Sequence, residues 1–404
     1  MMRTRIARVL GAVTAGAALY ALALAGAASA VRAAPAAGAV TGLRDAAATA
    51  RTIPPAVGAR HETAYVVNAG SGTVTPISVA TGKAGCPIRV GDDPEAIAIT
   101  PDGKTAYVVN GGSNTVTPIR TATNTAGTPI RVGDDPEAIA ITPDGVTGYV
   151  VNANSHSVTP IWTATNTAGT PIPFGGGFDP IAIVITPDGK TAYVLDQASG
   201  SVIPIRTATN RTGPYIEAGS FPDAIAITPD GKTVYVVVSG VDERPDNWGS
   251  VTPIRTATNT AGPSIGVGAF AAAIAITPDG KTAYVANDGS NTVTPIRTAT
   301  NTAAPPISVG GSPGSIAVTP DGRTAYIAVD SSRSVMPIRT ATNTAGMAIP
   351  VGDDPGAMAV TPDGKIAYVL NAGSGSVTPI RTATSTAGTS IAVGTDPVAI
   401  AITR

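Results

Sequence analysis

Five aspartates in this 404-residue chain sit at one place in a recurring phrase. Asp93, Asp135, Asp179, Asp354 and Asp396 each stand seven residues before the threonine that closes a run such as Ala-Ile-Ala-Ile-Thr. In three further copies that place holds Phe221, Phe270 and Ser312, and the acids are doubled at Asp92, Asp134 and Asp353. All four phenylalanines (Phe174, Phe178, Phe221 and Phe270) fall ahead of these runs, and Trp248 lies in an insertion, Ser239 to Gly249, that one copy alone carries. Carboxylates beside aromatic rings suit sugars, amines or cationic peptides, through stacking and cation–π attraction. The candidate ligand-binding residues are therefore Asp93, Asp135, Asp179, Asp354, Asp396, Phe178, Phe221, Phe270 and Trp248. A plainer reading competes with this one. Asp-Pro before a strand is ordinary turn chemistry, the carboxylate bonding local amides, and phenylalanines in loops can simply plug a channel. Calcium is a further option, since the ion takes about six to eight oxygen ligands. No other cofactor is expected.

Catalytic signatures are sparse. His61 and His156 are the only histidines, too few and too far apart for a zinc cluster, and both are expected at the surface. No Gly-x-Ser-x-Gly elbow occurs, and Gly175-Gly176-Gly177 precedes a strand rather than a helix, which argues against a phosphate cradle. Cys86 is the single cysteine, so no internal disulfide can form; it is expected half-buried at a blade edge.

The elements that position the aspartates come from repetition. Tyr65, Tyr107, Tyr149, Tyr193, Tyr235, Tyr284, Tyr326 and Tyr368 recur at spacings of 42, 42, 44, 42, 49, 42 and 42. Four short apolar stretches per unit, with no helical periodicity and regular prolines, describe one blade of a β-propeller. In one unit Ala96 to Thr100 alternates small and branched side chains, Thr100-Pro101-Asp102-Gly103 turns the chain, and Ala106 to Val109 is strand two. Thr115 to Ile119 is strand three, Thr121 to Gly127 a polar turn, and Pro129 to Val132 strand four. A proline stands inside every strand three (Pro76, Pro118, Pro160, Pro204, Pro253, Pro295, Pro337 and Pro379), and because proline cannot donate to a ladder that strand is expected to break or bulge there.

These motifs resemble the YVTN-type propeller repeats of secreted and surface-layer proteins. The signature reads Tyr107-Val108-Val109-Asn110 and Tyr284-Val285-Ala286-Asn287, and the resemblance covers nearly all of residues 63–404. Ile-Arg before the Thr-Ala-Thr-Asn turn, where the family commonly has an aspartate, is a departure. The resemblance alone implies seven blades. Strand counting gives eight, because Tyr65 to Val90 lacks a strand one and Ala399 to Thr403 is a strand one with nothing after it. The fold class expected is therefore all-β, an eight-bladed propeller of four-stranded antiparallel blades closed by the C-terminal strand. The resemblance also implies that the loop leading into strand one shares a face with the loop between strands two and three. On that face the five aspartates form a contiguous arc, and the Phe221, Phe270 and Ser312 copies interrupt it, the two phenylalanines beside Trp248. On the opposite face lie the Thr-Pro-Asp-Gly turns followed by Lys104, Lys190, Lys232, Lys281, Arg323 or Lys365, with an arginine column near it, so the two faces should differ in sign.

Before the repeats, Arg3, Arg5 and Arg8, an apolar run from Val9 to Ala27 and Ala28-Ser29-Ala30 read as a signal peptide over 1–30, with a retained anchor as the competing reading. Residues 31–62 read as a flexible Ala/Pro-rich leader and 63–404 as the propeller domain. Taking those three arginines from 26 basic residues leaves 23 against 27 acids, a net of −4, which argues against a nucleic-acid groove. The expectation is a monomeric, secreted or cell-surface binding or scaffold module for an extracellular or cell-envelope ligand, with no membrane span after signal removal. A metal-assisted hydrolase or lyase of the lactonase type, and a structural surface-coat protein, are the alternatives.

Overall fold

Tyrosine and β-branched residues fill the strands because a pleated, half-buried surface suits them. In the computed structural model, residues 62–239 and 248–404 are described. The signal segment, nearly all of the leader, His61 and most of the insertion (240–247) lie outside the described residues. The strands form eight antiparallel sheets, one per blade. Blade 2 shows the pattern: Pro94–Ile99 innermost, then Thr105–Asn110, then Thr115–Arg120, then a fourth strand in two short pieces, Thr125–Ala126 and Ile130–Arg131. Blade 1 is made by both ends of the chain: Pro397–Ile402 is its innermost strand and pairs antiparallel with Thr63–Asn68. The Thr403 amide donates to the Thr63 carbonyl at 2.9 Å, and the ring is closed.

The core lies between blades. Ala96 and Ala98 pack with Tyr107 and Val109 against Ile139, Ile141 and Val150 of blade 3, while Ile97 and Ile99 pack backwards onto Tyr65 and Val67 of blade 1. Alternating small and branched residues thus give each face of an innermost strand one side-chain size. Seven of the eight buried tyrosines also join blade to blade through their hydroxyls. Tyr65 Oη donates to Asn124 Oδ1 at 2.6 Å, Tyr107 to Asn166 at 2.6 Å and Tyr149 to Asn210 at 2.7 Å, each crossing to the polar turn of the next blade. Those asparagines have positive φ (52°, 54° and 52°), the left-handed region they tolerate better than most residues.

The expected break in strand three does not occur. Thr73–Ser78 pairs with Thr63–Asn68 without interruption, Tyr65 opposite Pro76. The Pro76 carbonyl accepts from the Gly85 amide at 2.7 Å, so Pro76 turns both of its backbone groups toward strand four, and its missing N–H is missed there. Strand four is what splits, into Lys83–Ala84 and Ile88–Arg89, and the same happens in every blade. Cys86 sits in that gap and is exposed rather than half-buried, because nothing packs outside the outermost strand.

Candidate functional site

The loop leading into each innermost strand is fixed by its backbone. Asp93, Asp135, Phe221, Phe270, Asp354 and Asp396 all have φ between 48° and 56°. The carbonyls of Asp93, Asp135, Asp179, Phe270, Ser312, Asp354 and Asp396 accept from the first amide of the loop between strands two and three, at 2.8–3.0 Å. These carbonyl links bring both loops to one end of the ring. Underneath, the asparagine closing strand two holds the loop: Asn110 Oδ1 accepts from the Gly91 amide and Asn152 Oδ1 from the Gly133 amide, both at 3.1 Å. In blade 4 a buried Asp196 takes that place and accepts from the amides of Asp179 (2.7 Å) and Ser199 (2.8 Å).

Immediately after the proline the innermost strand bulges. Pro94 pairs with Asn110 and Ala96 with Val109, leaving Glu95 as the extra residue; Glu137, Ile181, Asp223, Ala272, Gly314 and Val398 hold the same place in other blades. A bulge re-aims one side chain out of the ladder, a device common beside functional sites. Here it turns acids out of the strand at the mouth of the ring. Glu137 is pushed up to about 9, chiefly by burial and then by Glu95, Asp135 and Asp179. Burial and the neighbouring Asp179 and Asp93 raise Asp135 as well. Asp179 is raised by burial and Asp196, with His156 opposing. Asp223, nearly buried, is pushed up to about 6 by burial, although Ser239 and Gln197 bond it; Gln197 Nε2 donates at 3.1 Å. The acidic arc extends further than the repeat column indicated, since burial, Asp354 and Asp288 raise Asp330. Against these acids the face sets His156 and Arg333, the latter paired with Asp353 at 3.0 Å. His156 is half-buried, and its Nδ1 is buried without a hydrogen-bond partner among the described residues.

The aromatic candidates divide. Phe221, Phe270 and Trp248 are 51%, 46% and 62% exposed. Gly249, next to Trp248, donates to the Gly268 carbonyl at 2.9 Å, two residues ahead of Phe270, so Trp248 and Phe270 flank one loop contact. A side chain at Gly289 would collide with the Phe270 ring, which therefore lies over bare backbone. No two of these three rings stack among the described residues. Phe178 instead packs edge-on against Phe174 (6.5 Å between centroids) and Tyr215 (5.3 Å), at the margin of the core between blades 3 and 4. That ring belongs to packing, because the longer glycine loop at 175–177 folds it inward rather than outward.

Glu95, Glu137 and Asp223 were not among the sequence candidates. The signal present was an acid directly after the proline, in a run otherwise apolar. Among the described residues, no three His, Cys, Asp or Glu side chains are grouped so as to hold a metal ion.

A family described as a YNCE-like beta-propeller matches residues 27–355. No curated protein matches the chain by sequence. Among solved structures, Kuenenia stuttgartiensis hydrazine synthase is similar at 27% identity with a TM-score of 0.59, over 71% of this chain and 95% of that one. The dihydro-heme d1 dehydrogenase NirN in complex with DHE is similar in fold, with a TM-score of 0.73 at 14% identity, over 87% of this chain and 77% of that one. AztD from Citrobacter koseri has a TM-score of 0.60 at 11% identity, over 85% and 97% of the two chains.

Proposed function

The chain belongs to the YNCE-like beta-propeller family, and from that premise we propose that it is an extracytoplasmic binding module whose acidic mouth takes an organic cation. The cation is a lysine- or arginine-bearing peptide or an amine. The observation that carries this reading is the bulge that turns Glu95 and Glu137 out of the innermost strands beside Asp135 and Asp179, where burial and the neighbouring carboxylates push Glu137 up to about 9. A positive group placed there meets several carboxylates at once and relieves their mutual repulsion. The acids are spread around the mouth without a metal-ligand cluster among the described residues, which favours a broad organic cation over a metal-assisted hydrolase. Phe221, Phe270 and Trp248, exposed on the neighbouring arc, supply surface for the apolar part of such a ligand. The basic, apolar, small-residue signal segment at 1–30 supports export.

The test uses proton linkage. At pH 7 Glu137 carries its proton in the free protein, and a bound cation lowers its affinity for that proton, so binding releases it. Titration calorimetry of the full chain with an oligolysine peptide, in buffers of different ionisation heat, should show proton release and an affinity that rises from pH 7 toward pH 9. Glu137→Gln should abolish the release and weaken binding about tenfold, a loss of ~1.4 kcal/mol. Equal binding of an oligoserine peptide, or unchanged proton release in the variant, would overturn the reading.

A further inference from the structure

The face opposite the acidic mouth is built as a continuous plane. Each Thr-Pro-Asp-Gly turn closes with the Gly103 amide donating to the Thr100 carbonyl (2.8 Å) or its equivalent, and abuts the next turn. A Cβ on Gly145 would stand 3.2 Å from Pro101, and one on Gly364 3.4 Å from Pro320. At Gly103 the neighbour is the Arg404 carbonyl, so the place of the eighth turn is taken by the chain ends. Each turn lysine pairs with its own aspartate, as Lys104 does with Asp102 at 3.0 Å. Outside the turns, Arg120, Arg206, Arg255, Arg297, Arg339 and Arg381 end the third strands. All six are exposed, and none makes an ion pair among the described residues. The fold begins on this face as well: Thr63 is bonded to Thr403, and 61 residues, including the apolar run from Val9 to Ala27, stand ahead of Glu62.

We propose that this arginine-ringed plane is a docking surface for an anionic lipid leaflet, with the acidic mouth directed away from the membrane. Geometry selects the leaflet over a soluble polymer. A charged plane meets all six cations together, whereas a linear polyanion must bend around the whole ring to do so. Charge segregation makes this compatible with a formal net charge of only −1, because attraction to a surface acts within about a Debye length, ~10 Å. The described fold also begins on this side, at Glu62 and Thr63.

The experiment is vesicle sedimentation of the full chain, with phosphatidylcholine alone and with equal parts of phosphatidylcholine and phosphatidylglycerol. The readout is the change in anionic preference between the parent chain and its arginine variants, since the apolar N-terminal segment with Arg3, Arg5 and Arg8 is common to all of them. Partitioning should be at least ~tenfold stronger onto the anionic vesicles, fall with added salt, and lose most of that preference when all six arginines become glutamine; a sixfold variant that keeps the parent's preference overturns the proposal. Glu137→Gln should leave it unchanged. Should the sixfold variant fold poorly, Arg120→Gln with Arg297→Gln gives a partial loss that tests the same point. Equal partitioning on both lipids overturns the proposal. So does displacement of the protein by inorganic polyphosphate at phosphate concentrations below those of the lipid, which would make the occupant a linear polymer.

Discussion

Phe221 and Phe270 hold a left-handed backbone, φ 55° and 50°, that most neighbouring blades give to aspartate. Such a conformation costs a bulky L-residue about 1–2 kcal/mol, and asparagine less. On the proposed binding role, recognition is what offsets that cost for two exposed rings. Changing both to asparagine should raise the melting temperature by a few degrees while weakening ligand binding; a drop in melting temperature would place the rings in the core. These residues were visible in the sequence because they break a repeated column. Glu95 and Glu137 were not, although they stand only two residues further on. A bulge is a fact of pairing between two strands, and Pro-Glu-Ala-Ile-Ala read alone shows an acid on a strand, not an acid turned out of it. Glu137 also makes the fold pH-sensitive. Its pKa is higher folded than unfolded, so the folded state holds the extra proton from pH ~4.5 to about 9, and stability falls as pH rises through that window.

At the scale of strands and turns, proline and tyrosine divide the work. The strand-three proline was expected to damage its own strand, yet its vacant donor position faces outward, and the fourth strand breaks instead. Which way a residue's N–H points depends on its place in the ladder, and that alternation is set only once Tyr65 is opposite Pro76. The tyrosine column was legible as a period, whereas its hydroxyl partner was not, because Tyr107 and Asn166 lie 59 residues apart and in different blades. The pattern has one gap. Tyr368 faces the turn of blade 1, where Gly82 (φ 63°) stands at the asparagine position with open space around its Cβ direction. Gly82→Asn should supply the missing acceptor and stabilise the protein by ~1 kcal/mol, read as a higher melting temperature. Adding Tyr368→Phe should cancel the gain; a gain that survives would mean the glycine change acts on the unfolded chain instead.

For the whole ring, eight blades followed from counting strands at the two ends, and the resemblance alone would have given seven. Deleting Ala399 to Arg404 removes most of the innermost strand of blade 1 and bares the edge of Thr63–Asn68. The expected loss is several kcal/mol, a large part of a typical ~5–15 kcal/mol, and a truncated chain that melts at the parent temperature would contradict closure by the termini. Because closure is made inside a blade, strand to strand, it does not depend on how many blades lie in between. Each unit also carries its own turns and both of its packing faces. Near-identical repeats in a gene recombine out of step, gaining or losing a whole copy, here about 42 codons at a time. A descendant with one unit more or fewer still brings the same last strand to the same first edge. Ring size is therefore heritable independently of the two ends that seal it, and the width of the central opening can change in one genetic event while the blades stay the same.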